Sequence, residues 1–168
     1  MVPDTDLQLQ IALKALADTV APAVDPADKM ATEQLRLVMA TLAMVRERAP
    51  VERRLVRRQI EDDIALAERI VRVAGIGEDA LADVVDSARA ALADPELGTA
   101  ELAAMRSQLT NTTADAIASA GNEAAHEIGS IMIQGSRAPL ERLRAWCMPS
   151  GFEPDPSVIP ALETLLKA

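Results

Sequence analysis

Thirty consecutive residues, Ser107–Ser136, contain no Lys, Arg or Pro and consist largely of Ala, Gly, Ser, Thr and Asn. At about 100° per residue, Ile117, Gly121, Ala124, Ile128 and Ile131 fall within one narrow stripe. Beside it runs a ladder of small residues, Gly121, Ala125 and Gly129, spaced by four. Small side chains let helix backbones approach closely. The stretch therefore predicts a long helix that touches other helices, at the centre of a bundle or in a subunit interface.

The rest of the chain agrees with a helical architecture. Alanine contributes 32 of 168 residues, and Leu, Glu and Arg are frequent, all strong helix formers. Trp146 and Phe152 are the only aromatic residues and Tyr is absent, which argues against strands and ligand pockets. The length suits one domain, residues 1–168. We expect an all-α protein: an antiparallel helical bundle of five main helices plus two short C-terminal helices.

Proline placement sets the expected boundaries. None of the ten prolines falls within 51–94 or 96–138. The expected helices are Asp6–Ala21, Asp28–Ala49, Val51–Ala74, Asp79–Ala93 and a long fifth capped by Thr99, with Pro50 separating the second from the third. Gly75 is the expected stop of the third. Short helices are expected at Pro139–Cys147 and Ser157–Lys167, with Pro160 in the first turn of the latter and an irregular segment at 148–157. In the second helix Leu35, Val38, Leu42 and Val45 form one stripe, extended by Leu37 and Met44. Only Arg36 is charged between Leu35 and Val45, which predicts burial on more than one side.

Net charge is −9, so long-range attraction to nucleic acid is not expected. Residues Met1–Asp6 carry neither a basic nor an apolar leader region, and no uncharged apolar run reaches the roughly 18–20 residues of a membrane span. A cytoplasmic protein without membrane association is expected. The single Cys147 allows no intramolecular disulfide.

Four groups of residues bear on function. Six arginines, Arg46, Arg48, Arg53, Arg54, Arg57 and Arg58, surround Pro50. Guanidinium forks suit phosphate and carboxylate, so a phosphate- or CoA-like anion is one reading. The alternative is a solvated face in which Arg57–Glu61 and Arg58–Asp62 pair at i,i+4 and Arg46 and Arg48 complement a helix C-terminus.

Glu123-Ala-Ala-His126 has the Glu-x-x-His spacing of di-iron bundles, with Glu33, Glu61, Asp62 and Glu68 available as further carboxylates. However, His126 lies opposite the isoleucine stripe, and the chain has one histidine. A polar helix face is the preferred account, and no metal or other cofactor is expected.

Trp146, Cys147 and Phe152 fall within seven residues. They either anchor a partner or plug one end of the bundle. Cys147 as a nucleophile would need His126 as its base, and nothing in the sequence places the two together.

The row Asn111, Asp115, Ser119, Asn122, His126 and Ser130 is either solvent-exposed or lines a groove or interface. Asn122 and His126 are its candidate ligand-binding members. Gly-rich phosphate loops, Ser-His-Asp arrangements and Walker signatures are absent.

The segment Leu13–Val24, ending Ala21-Pro22-Ala23-Val24, is followed by Ala40-Thr41-Leu42-Ala43-Met44-Val45-Arg46-Glu47. On these residues the first fifty positions resemble a family of short, uncharacterised helical bacterial proteins. These are encoded beside acyl-CoA dehydrogenases and aminoglycoside-phosphotransferase-like proteins. The resemblance implies an accessory role in acyl-CoA catabolism and supplies no catalytic residues. The expected function is thus that of a non-catalytic accessory or assembly protein. It would act through helix–helix interfaces as a homodimer, with a possible protein partner and with Gly121, Ala125, Gly129, Trp146 and Phe152 as interface candidates. An anion-binding protein is the alternative, and a Glu-x-x-His metal bundle ranks last.

Overall fold

The computed structural model describes residues 4–74, 78–151 and 153–167, without the side chains of Ala74, Glu78, Asp79 and Glu123. It is an all-α, multi-helix bundle, and among the described residues every regular element is helical. The elements are α1 (Thr5–Ala15), which runs into a π-helical turn (Leu16–Val20) and a last α-turn (Ala21–Ala23), α2 (Lys29–Ala74), α3 (Glu78–Ala93), α4 (Thr99–Ser119), α5 (Asn122–Cys147) and α6 (Leu162–Leu165). Short 3₁₀ turns occupy Met148–Ser150 and Pro156–Val158. No helix among the described residues is long and apolar enough to cross a membrane.

Several expected boundaries are corrected. Pro50 does not separate two helices: α2 passes through it as 46 residues of continuous helix. A proline inside a helix removes one ladder hydrogen bond and costs about 3 kcal/mol. The buried neighbours Arg48 and Val51 hold the backbone on either side of it. Pro139 likewise lies inside α5 rather than opening a separate helix.

Conversely, the long fifth helix is broken. α4 ends at Ser119, and Ala120 turns extended with ψ 137°. The run Ser119-Ala120-Gly121-Asn122 joins a poor helix former to a residue that favours helix starts, a local stop that periodicity does not register. Gly98, not Thr99, precedes the first turn of α4, and its N–H donates to Glu101 Oε2 at 2.7 Å. Pro160 lies outside α6, which is only four residues long. Gly75 lies outside the described residues. In the irregular segment Gly151 has φ 76°, a left-handed conformation that favours glycine.

Two compact units are present: Met1–Pro50 with Trp146–Pro156, and Val51–Ala145 with Ser157–Ala168. In the first, α1 and the beginning of α2 form an antiparallel hairpin. Asp4 and Asp28 cap the two helix starts by accepting from Leu7 N–H at 2.8 Å and Ala31 N–H at 2.9 Å. Arg46 reaches Asp6 near one end of the hairpin, and Ala21 and Val24 line a cleft with Thr32, Leu35 and Met39 near the other. Leu9 and Leu13 of α1, Leu16 of the π-helical turn, and Leu35, Met39 and Leu42 of α2 are half-buried. Arg48 is the one fully buried residue among the described residues of this unit.

The second unit holds the core. Ile60, Ile64 and Ala67 of α2, Leu81, Val84, Val85 and Ala88 of α3, and Leu102, Leu109 and Ala116 of α4 form one cluster. Each set recurs at helical spacing, so one stripe per helix supplies it. α3 packs on α4 across the turn 94–98, where Asp94 Oδ1 accepts from Glu96 N–H at 2.8 Å. Ile128, Ile131 and Ala145 are the buried apolar residues of α5. A Cβ on Gly135 would stand 3.4 Å from Leu66, so α5 approaches α2 closely at that point.

Candidate functional site

The six arginines around Pro50 have separate partners. In the first unit Arg46 forms a fork with Asp6, its Nε at 2.7 Å from Oδ1 and its Nη2 at 3.2 Å from Oδ2. This hydrogen bonding holds the Asp6 carboxyl below its ordinary value and raises Arg46. Arg48 lies over the Trp146 ring, 5.6 Å from its centroid, and donates from Nε to the Trp146 carbonyl at 3.1 Å. Trp146 is half-buried, and Phe152 lies outside the described residues.

In the second unit Arg53 donates to the Leu97 carbonyl at 3.1 Å and the Pro95 carbonyl at 2.9 Å, while Arg57 donates to the Leu92 carbonyl. These acceptors belong to the last turn of α3 and the loop after it, where carbonyls lack helical donors. Arg53 and Arg57 therefore satisfy the C-terminus of α3. The expected i,i+4 pairs are corrected as well. Arg58 pairs with Glu61 at i,i+3, at 2.9 Å, and Asp62 is taken by Arg142 from α5. A long-range partner displaces a local one because the inner face of α5 carries Arg142 directly to α2.

Arg54 makes no ion pair among the described residues. With Arg57, Arg58, Glu61, Leu166 and Lys167 it lines an open cleft of about 310 Å³. Four cationic side chains face one carboxylate there, and Arg58 Nε is buried with no acceptor among the described residues.

No motif or charge pattern in the sequence singles out Arg142, although its helical register does. It falls on the stripe of Ile128, Ile131 and Gly135, the only charged residue there. It is 4% exposed, and burial, together with the charge of Arg58, lowers its proton affinity. Nearby, Arg106 of α4 pairs with Asp63 at 2.8 Å and Gln59 at 3.1 Å. Burial nevertheless raises the Asp63 carboxyl, outweighing the opposing pull of Arg106.

α5 turns its other face to solvent. Asn122, Ala125, His126 and Ser130 are exposed, Gly129 is half-buried, and Ile133, Leu140 and Leu143 are 76%, 54% and 52% exposed. A Cβ built on Gly121 or Gly129 meets nothing within 4 Å. The small-residue ladder is therefore not used for packing within the described chain. The hollow beside His126 is lined by Ala125, Gly129, Ser130, Ile133 and Gln134, all from α5, so it is a surface groove. Asn111, Asp115 and Ser119 are exposed on α4, so the expected polar row is divided between two helices.

The Glu123 side chain lies outside the described residues, and among those described no three of His, Cys, Asp and Glu stand close enough to hold a metal ion. Cys147 is free and exposed. A further cleft of about 350 Å³ has an apolar floor of Val71, Leu81 and Val85, and Arg89 on its rim pairs with Glu68 and Asp86. Compared with known proteins, the chain matches no family model, no curated protein and no solved structure.

Proposed function

We propose that this protein is a non-catalytic accessory or assembly protein that works through helix–helix interfaces. The observation that carries this reading is the outer face of α5. Small residues Ala125 and Gly129 open a backbone surface on one half, and Ile133, Leu140 and Leu143 project from the other. A partner helix can approach the first half closely and bury apolar side chains on the second. The resemblance of the first fifty residues extends the proposal to a bacterial cytoplasmic protein that accompanies acyl-CoA-metabolising enzymes.

The test is a photo-crosslinking residue at position 133, with position 101 on α4 as the exposed control. One discrete adduct at 133 that Gly129→Leu abolishes is the expected result. No adduct, or the same adducts at both positions, rejects the reading.

A second reading is anion binding in the Arg54 cleft, favoured by its four cations and the acceptor-free Arg58 Nε. It excludes Arg46, Arg48 and Arg53, which do not line that cleft. Calorimetric titration with inorganic phosphate and with CoA, repeated on Arg54→Ala, decides it. Heat that the substitution removes supports it, and no heat from either ligand rejects it.

A further inference from the structure

We propose that the cleft around Arg54 is a site for the dianionic phosphate end of a small phosphomonoester, held by Arg54, Arg57 and Lys167. The inference rests on the anion reading of this cleft and adds the charge state, the size and the contacts of the ligand.

Local forces do not account for the cluster. Arg54, Arg57, Arg58 and Glu61 recur at i, i+3, i+4 and i+7, so they share one face of α2. The neighbours that follow Arg54 on that face are Arg57 and Arg58, and like charges at this spacing destabilise a helix. The chain has 26 Asp and Glu against 17 Lys and Arg, so carboxylates are plentiful, yet Glu61 alone lines the cleft. Lys167 brings a further cation from the turn after α6. That turn is fixed by the Lys167 N–H, which donates to the Thr164 carbonyl at 3.2 Å, and by Leu162, which is buried.

The excess of cation continues behind Arg58. Arg142 is buried close to it, and the charge of Arg58 acts against the charge of Arg142. Glu61 answers Arg58 and Asp62 answers Arg142, whereas Arg54, Arg57 and Lys167 make no ion pair among the described residues. Arg58 Nε and Arg142 Nε are buried with no acceptor among the described residues. Buried donors are nearly always paired, so two unpaired ones beside a cationic cleft mark a place that lacks negative charge.

Three features select the ligand. The first is charge. Four cations and one carboxylate give the cleft a local charge of +3. A carboxylate or a phosphodiester offsets one of these charges. A phosphomonoester carries close to two negative charges at neutral pH and presents three acceptor oxygens. Those oxygens match the three cations that have no carboxylate. Arg57 is already held by the Leu92 carbonyl, so its remaining N–H groups are presented with little further ordering. Organic sulfates and carboxylates are monoanions, which leaves the phosphomonoester as the fitting organic group.

The second feature is size. A cleft of about 310 Å³ stands at the lower end of the roughly 300–1,000 Å³ of ligand sites, so the organic body is short and rests against Leu166. The third is reach. Net charge is −9, and physiological salt screens exposed charges beyond about 8 Å. A small ligand senses the local cations, whereas a nucleic acid or an acidic peptide extends over the acidic remainder of the surface.

The test is an NMR titration of the full chain at constant ionic strength, read on the arginine Nε–H signals. Its ligands are methyl phosphate, dimethyl phosphate and sulfate: a monoester dianion, a diester monoanion and a dianion that takes up no proton in this range. At about pH 7.5 methyl phosphate is expected to saturate the protein in the millimolar range, at least about tenfold more tightly than dimethyl phosphate. At about pH 5 its affinity should fall roughly tenfold, because it gains a proton near pH 6, while that of sulfate holds. Arg54→Gln and Lys167→Gln should each weaken methyl phosphate several-fold with unchanged helical circular dichroism, since both side chains are exposed. Arg72→Gln, which removes the same charge elsewhere on α2, should not.

Equal affinity for the two esters, a sulfate affinity that falls together with that of methyl phosphate, or binding that Arg54→Gln leaves unchanged overturns the inference. If the two esters bind equally and Arg54→Gln removes both, the anion reading stands and the phosphomonoester alone is rejected. If no ligand binds, both are rejected.

Discussion

The guanidinium of Arg48 stands 5.6 Å from the centroid of the Trp146 ring while its Nε donates to the Trp146 carbonyl at 3.1 Å. One side chain thus ties the α2 backbone just before Pro50 to the last turn of α5. Its side chain is only 9% exposed, and Glu47 supplies a counter-charge at 3.1 Å. A planar fork is needed to stack on the ring and donate in its plane at once, which an ammonium cannot do. Arg48→Lys is therefore expected to destabilise the protein by about 1–2 kcal/mol. Trp146 is the sole tryptophan, so its fluorescence reports the change directly. A red-shifted emission and a lower urea midpoint are expected, and an unaltered spectrum contradicts the stacking.

Core truncation and surface enlargement should separate cleanly. Leu109 is fully buried in the cluster of α2, α3 and α4. Leu109→Ala should cost about 2–5 kcal/mol through lost transfer energy and the cavity left behind. Gly129→Leu, at a position where an added Cβ meets nothing, should change stability by less than about 1 kcal/mol. Thermal melts of both variants check the contrast. A large loss in Gly129→Leu would mean that the ladder packs inside one chain.

Arg142 and Asp62 form an ion pair in which the arginine is buried and the carboxylate is 21% exposed. Removing the cation leaves a partly buried carboxylate without its partner. Arg142→Ala should cost about 3 kcal/mol, at the low end for buried pairs because water still reaches Asp62. Arg142→Met, which fills the volume, should cost less when combined with Asp62→Leu than when made alone. Denaturant unfolding of the two singles and the double measures the coupling.

Carboxylates in the two units should respond oppositely to acid. Hydrogen bonds from Arg46 and Arg36 lower Asp6 and Glu33, so their contribution is present at neutral pH and is lost as pH falls through and below about 4. Burial raises Asp63, so the native state binds its proton more readily than the unfolded chain. Its contribution therefore increases as pH falls from the raised value toward the ordinary carboxylate range. Carboxyl-carbon NMR titration should find Asp63 titrating above Asp6, and Glu33 below the ordinary glutamate range. Hydrogen exchange at pH 4 should show the α1–α2 hairpin opening before the core of the second unit. The reverse order contradicts the assignment.

Much of the architecture was legible in the residues. Alanine and leucine content, stripes at helical spacing and the caps at Asp4 and Asp28 make the elements helical through local forces alone. Ile128 and Ile131 of α5 are found buried where the period put them. The nearly charge-free segment Leu35–Val45 suggests burial on more than one side, but Leu37, Val38 and Val45 are 44%, 47% and 47% exposed.

Local rules failed at Pro50, Pro139 and Gly121, because the first two compare a broken ladder bond with packing that lies far away in sequence. Arg48 on Trp146 and Arg142 on Asp62 link positions 98 and 80 residues apart. Tertiary structure also decided what the arginines do. Side chains that pattern alone assigns to an anion or to i,i+4 neighbours turn instead to the Leu92, Pro95 and Leu97 carbonyls. Charge and spacing state what a guanidinium is able to bind, whereas its partner depends on which acceptors the folded chain brings within reach and leaves unsatisfied.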